Sequence, residues 1–196
     1  MKALLALASL LLATPAAAEM TSAYTDFDLK KCVRVTPETS GEDGESSGVF
    51  ECQGHGNHVV TFAEGDLRSF VSFGTESGDH CSFRQTFGGF NSVGTKIEWR
   101  LKDGKPFATI LRWTVSYDPE DSNKTRSWLV ITKLEADESC HMAYVEGALP
   151  NANEKARIIA DTVVAASQCG ATEKIIVARA GHDWSETPGG PTCPAP

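Results

Sequence analysis

Between residues 96 and 145 the pattern of apolar and polar positions reads as four β-strands in succession. Ile97-Glu98-Trp99-Arg100-Leu101 is apolar at every second position, the period of a half-buried β-strand. Lys102-Asp103-Gly104-Lys105 carries an Asp-Gly hairpin signal, and the following run, 107–117, sets Phe107, Leu111, Trp113, Val115 and Tyr117 on one face. A two-residue Asp103-Gly104 loop would pair Leu101 with Pro106 and send Trp99 and Phe107 to opposite faces. A three-residue loop with Gly104 left-handed pairs Trp99 with Phe107. Because a one-residue slip moves a whole apolar face into water, the pattern favours that bulged turn. After a polar stretch, 118–126, Trp128-Leu129-Val130-Ile131 is apolar on both faces, as a central strand is. Residues 140–145 complete a meander.

Upstream, Phe27, Leu29, Val33 and Val35 alternate as a strand, with Cys32 on its other face. Residues 36–47 form a loop rich in Pro, Gly, Ser and acids, and 49–52 returns as a strand. Two short strands, 58–62 and 68–73, flank a Glu64-Gly65-Asp66 turn, and 82–87 reads as another short strand. The predicted helix spans 151–169. Asn151 with Glu154 resembles a capping box, Gly170 ends the helix, and Ala152, Ala156, Ile159, Ala160, Val163 and Ala166 form its apolar stripe, with Arg157 on the polar side. Residues 174–179 add a last strand, and 182–196, with four prolines, form a tail. The sum is a single α+β domain: a mostly antiparallel, meandering sheet of about six to eight strands with one long helix across it. A β-sandwich with an appended helix is the alternative.

The first 18 residues change the picture. One charge, Lys2, an apolar run over 3–13, then Pro15 and Ala16-Ala17-Ala18 form a signal peptide with cleavage before Glu19. The run is too short to cross a bilayer, which predicts a periplasmic or secreted protein without membrane insertion. Without it the chain holds 17 Lys and Arg against 26 Asp and Glu, a formal charge of −9. The largest basic cluster is Lys30-Lys31-Arg34, which argues against nucleic acid as a partner. Acids gather at 38–45, 118–121 and 135–138, which favours a cationic partner surface. All six cysteines follow residue 18, and an even count in an exported chain implies disulfides. Neighbouring strands suggest Cys32 with Cys52. The end of the meander and the end of the helix suggest Cys140 with Cys169. Elimination leaves Cys81 with Cys193.

Candidate chemistry is sparse. Gly44-Glu45-Ser46-Ser47-Gly48 fits the G-x-S-x-G pattern but precedes a strand, whereas a nucleophile elbow needs a strand-to-helix turn. His55 and His58 have metal-ligand spacing, yet they sit in a loop with no rigid support, so they are weak candidates. His182-Asp183 is an adjacent pair with no identifiable nucleophile, and His141 alternates in a strand as a packed histidine does. No catalytic residue and no cofactor are assigned. The residues favour a non-enzymatic binding or interaction module, with a hydrolase-like enzyme using an unidentified histidine and carboxylate site as the alternative.

The run Phe107-Ala108-Thr109-Ile110-Leu111-Arg112-Trp113, the strand Cys140-His141-Met142-Ala143-Tyr144-Val145 and the helix start Asn151-Ala152-Asn153 resemble a family of small exported alphaproteobacterial proteins. The family has no assigned activity. The resemblance implies export, bacterial origin and one domain, and brings no functional residues.

Overall fold

Each face of the long Asp103-Gly104 hairpin has a different cover, and this division builds the molecule. The computed structural model describes residues 18–36, 39–40, 46–76, 78, 80–171, 173–181 and 192–193. Its strands are β1 (Met20–Asp26), β2 (Val33–Arg34), β3 (Thr39–Ser40), β4 (Ser46–Gln53), β5 (Val59–Gly65), β6 (Arg68–Gly74), β7 (Asn91–Lys102), β8 (Lys105–Ser116), β9 (Thr125–Leu134), β10 (Ser139–Glu146) and β11 (Ile175–Val177). The helices are α1 (Cys81–Arg84) and α2 (Ala152–Thr162), with 3-10 turns at Leu29–Lys31 and Val164–Ala166.

Six strands form one sheet in the order β1-β7-β8-β9-β10-β11, antiparallel except for the β10–β11 pair. A five-stranded sheet has the order β2-β4-β5-β6, with β3 on β4. On one face of the larger sheet Trp99, Leu111, Trp113, Trp128 and Tyr144 pack with Phe62, Val71 and Phe73 of the smaller sheet and with Phe87. On the other face Ala108, Ile110, Leu129 and Ile131 pack under Ala152, Ala156 and Ala160 of α2. Small residues along the helix let its axis lie close to the strands. The α+β reading therefore holds, with its strands divided between two sheets.

Three disulfides pair Cys32 with Cys52, Cys81 with Cys193 and Cys140 with Cys169, as the sequence suggests. Other details differ. The hairpin turn is the two-residue form, with Asp103 at φ 51° and Gly104 at φ 77°, and Leu101 pairs with Pro106. The register shift that the apolar face demands occurs at Phe107 instead, opposite Arg100 and Leu101. That bulge turns Phe107 to the helix side, and Tyr117 is 36% exposed rather than core. The expected strand over 27–35 is cut to Val33–Arg34, with a 3-10 turn at Leu29–Lys31 in place of its first half. The edge of the sheet comes from β1, whose sequence MTSAYTD has no apolar alternation to betray it. Residues 82–87 begin as one helical turn.

Helix α2 is shorter than its stripe. Asn151 lies in the left-handed region at φ 56° and makes no side-chain cap, so there is no capping box. Regular α-helix ends at Thr162, whose hydroxyl donates to Ile158 O at 2.6 Å, a bond that competes with the helical ladder. The chain tightens into the 3-10 turn, burying Val164 and leaving Val163 37% exposed.

Candidate functional site

Where β1 stops, residues of both sheets line a groove of about 570 Å³. Its floor is Phe27 against Phe62, ring centroids 5.4 Å apart and edge to face, with Val93 beside them. Phe27 turns inward directly after β1, and its N–H donates to Thr95 O at 2.8 Å. The 3-10 turn Leu29–Lys31 overhangs this floor. Asp28 starts the turn by accepting from Lys30 N at 3.1 Å, and the Cys32–Cys52 bridge ties its end to β4. The overhang is thus fixed at both ends.

The polar wall holds Ser69, Ser92 and Thr95. Asn91 joins the two sheets beside it, accepting from Ser69 N at 2.9 Å while its own N–H donates to Leu67 O at 2.9 Å. Asp26 at the rim answers Lys96 at 2.7 Å, which holds its carboxyl below the usual range, and Lys31 lies 3.7 Å from Asp28. Lys30 and Glu64 line the groove with no side-chain partner among the described residues. These residues come from three segments far apart in the chain, 26–31, the β5–β6 hairpin and 92–95, so no local pattern could announce the groove.

A second constellation sits under α2. Glu98 and Arg100 occupy alternate positions of β7, facing the helix, and are 8% and 5% exposed. Arg100 makes a bidentate pair with Asp161, Nε–Oδ1 2.9 Å and Nη2–Oδ2 2.6 Å. Arg157 donates to both Glu98 oxygens, at 2.7 and 3.2 Å, and to the Tyr24 hydroxyl at 3.1 Å. The Ser22 hydroxyl donates to Glu98 and accepts from Arg100. Strand alternation marks Glu98 and Arg100 as solvent-facing. The signal that could have placed them is Arg157 and Asp161, one helical turn apart, whose charges complement theirs.

The residues singled out in the sequence fall elsewhere. His55 and His58 both lie against Trp99, with ring centroids 6.3 and 5.5 Å from it, and Gly54 admits the indole where a Cβ would lie 2.8 Å from its ring. Burial holds the His58 imidazole below its ordinary pKa. Among the described residues no group of three or more His, Cys, Asp and Glu is placed to hold a metal. His141 is 3% exposed, with Nδ1 at 2.8 Å from the Thr132 hydroxyl, and burial takes its pKa down to about 3. The side chains of Ser46 and Ser47, and the pair His182-Asp183, lie outside the described residues.

Within the acidic loop, Asp118 is engaged by Lys124 at 2.5 Å and by Glu120 N at 2.9 Å, and Asp121 accepts from Asn123 N at 3.1 Å. Two of its three carboxylates therefore shape the loop. A histidine–carboxylate pair that the sequence did not suggest joins His80 Nδ1 to Glu138 at 3.5 Å, but Glu138 also accepts from Cys81 N and Ser139 N, at 2.6 and 2.8 Å. It pins α1 to β10, as does the contact between the buried Ser82 and Ser139 hydroxyls at 2.7 Å.

Comparison with known proteins finds no matching family model, no matching curated protein and no matching solved structure.

Proposed function

We propose that this protein is an exported, non-enzymatic binding module of the bacterial envelope, and that the groove under Leu29–Lys31 seats a small amphipathic ligand. The observation that carries this reading is the groove's construction: an aromatic floor, a hydroxyl-bearing wall and a fixed overhang, with one ammonium (Lys30) and one carboxylate (Glu64) left for a charged head group. Its volume falls in the range of about 300–1,000 Å³ usual for small-molecule sites. The lining supplies recognition groups, with no imidazole or thiol among them.

Export fits three disulfides, which persist in oxidising compartments, and no described helix is long and apolar enough to cross a membrane. Cleavage before Glu19 would place the new amino terminus against Asp103, whose Oδ1 accepts from Glu19 N at 3.0 Å. The internal pairing of Asp118 and Asp121 favours the groove over the acidic loop as the contact surface.

The test is native mass spectrometry of protein isolated from its envelope under oxidising conditions, with the Ser92→Trp variant alongside. Ser92 is exposed at the groove wall, so an indole there fills the space without entering the core. The expected result is a bound small molecule in the wild type and none in the variant. Equal ligand content in both would reject the groove as the site.

A further inference from the structure

Arg112 projects from β8 on the helix side of the larger sheet, and both of its hydrogen-bond partners among the described residues are neutral. Nη1 donates to the Ser127 hydroxyl at 3.1 Å and Nη2 to Asn153 Oδ1 at 3.3 Å. A guanidinium has five N–H donors in a rigid fork that matches a carboxylate or phosphate, so most of this fork is unused. Gly147 makes room for it, since a Cβ at that position would lie 2.6 Å from Nη1.

Beside Arg112 is a cleft of about 190 Å³ that Lys96, Tyr24 and Arg157 also line. Its floor is Ile110 and Leu129, 5% and 3% exposed, which keeps water off one side and strengthens charge interactions above it. The one carboxylate in the lining, Glu98, is already met by Arg157 and the Ser22 hydroxyl. Lys96 is met by Asp26. Across the cleft and the network behind it, Lys96, Arg100, Arg112 and Arg157 are four cations, and the carboxylates paired with them among the described residues are three, Asp26, Glu98 and Asp161. The cleft is thus locally cationic on a chain whose formal charge is −8. The Tyr24 hydroxyl accepts from Arg157, which leaves its own proton to donate. The N-terminus of α2 begins at the same edge, with Asn153 in the lining and no side-chain cap, and its partial positive charge acts in the same direction.

We propose that this cleft is an oxyanion seat, distinct from the groove between the sheets, in which Arg112 takes a carboxylate or phosphate group and Tyr24 and Lys96 close its rim. The space suits one such group, either as a free ion or as the head of a larger molecule whose body lies outside.

The test is a titration of ¹⁵N-labelled, oxidised protein with inorganic phosphate and with acetate at constant ionic strength, with chloride as the control. The readouts are the Arg112 side-chain Nε–H and the Asn153 amide. Expected are saturable shifts with either oxyanion, at least about tenfold weaker in Arg112→Gln, as loss of a charged hydrogen bond implies. Arg112→Lys, which keeps the charge and loses the fork, should fall between, and it serves as the test variant if Arg112→Gln does not fold. Ser92→Trp should bind as the wild type does, so failure of the groove leaves this result intact. Shifts no larger than those with chloride, or Asn153 amide shifts that keep wild-type affinity in the Arg112 variants, would overturn the proposal and leave Arg112 as a tie between β8, β9 and α2.

Discussion

Arg157 Nε lies 2.7 Å from Glu98 Oε1, so the polar side of α2 is tied to the sheet alongside its alanine stripe. Glu98 holds the Arg157 guanidinium above its ordinary pKa, and only about a tenth of the Glu98 side chain is exposed. Arg157→Asp would set a second carboxylate beside the buried Glu98, and because the Arg157 side chain is 40% exposed the cost lies between that of an exposed and a buried pair, about 1–3 kcal/mol. Val163→Asp should change stability by no more than about 0.5 kcal/mol, as exposed substitutions do. Urea unfolding of the two variants checks this; the stripe alone predicts the opposite order.

The pH dependence should carry the mark of His141. Its folded pKa is about 3, because burial and the nearby Lys174 ammonium disfavour the imidazolium, while an unfolded histidine titrates near pH 6.5. As pH falls, the unfolded chain takes the proton first. This group's stabilising contribution is therefore complete above the unfolded pKa and is lost progressively from about pH 6.5 toward pH 3. Between pH 7.5 and pH 5 the loss is about 2 kcal/mol. His141→Gln should flatten that slope when urea midpoints are compared across the range; parallel profiles would refute the assignment.

A chain that begins at Glu19 carries its α-ammonium next to Asp103, an exposed ion pair that contributes at most about 1 kcal/mol. Asp103→Asn tolerates the left-handed turn and removes the charge. It should lower stability by that amount in low salt and by less in high salt. Acetylating Glu19 should abolish the difference. Intact mass of the native protein is the direct check on cleavage, and a retained leader would sink the idea.

The three bridges should differ in their contributions. They span sequence separations of 20, 29 and 112. Chain-entropy reasoning gives about 3 kcal/mol for the shortest loop and about 5 kcal/mol for the longest. Paired alanine substitution should therefore destabilise most at Cys81 and Cys193, measured by the guanidinium midpoint. Equal shifts for all three pairs would mean the denatured chain is not what these bridges act on.

Much of the fold was legible because burial writes itself into period. The meander over β7 to β10 and the Ala152–Ala160 stripe follow from faces that must be covered; two cysteine pairs follow from neighbouring elements, and Cys81 with Cys193 from elimination alone. What stayed hidden had no such signature. Strand β1 is an edge with polar residues on both faces. The face logic rightly demanded a register shift in the hairpin, but Phe107 could absorb it as well as Gly104. Glu98, Arg100 and Arg112 looked solvent-facing because alternation records apolar burial and is blind to charges that a helix covers with complementary charges. The groove and the cleft are made by segments that meet only in three dimensions.

The nesting of the bridges has a consequence for how the chain is made. In order of synthesis the cysteines pair as first with second, third with sixth and fourth with fifth. Once Cys32 and Cys52 have joined, Cys81 must wait for Cys193, 112 residues later, or roughly 6 to 22 s at about 5–20 residues per second. Cys140 emerges within that interval, before Cys169, and meets Cys81 as the other unpaired thiol. An oxidant acting strictly in order of emergence would join Cys81 to Cys140 and strand Cys169 with Cys193. The native pattern therefore calls for reshuffling by an isomerase, or for Ser82, Ser139 and Glu138 to seat α1 on β10 before the thiols are oxidised.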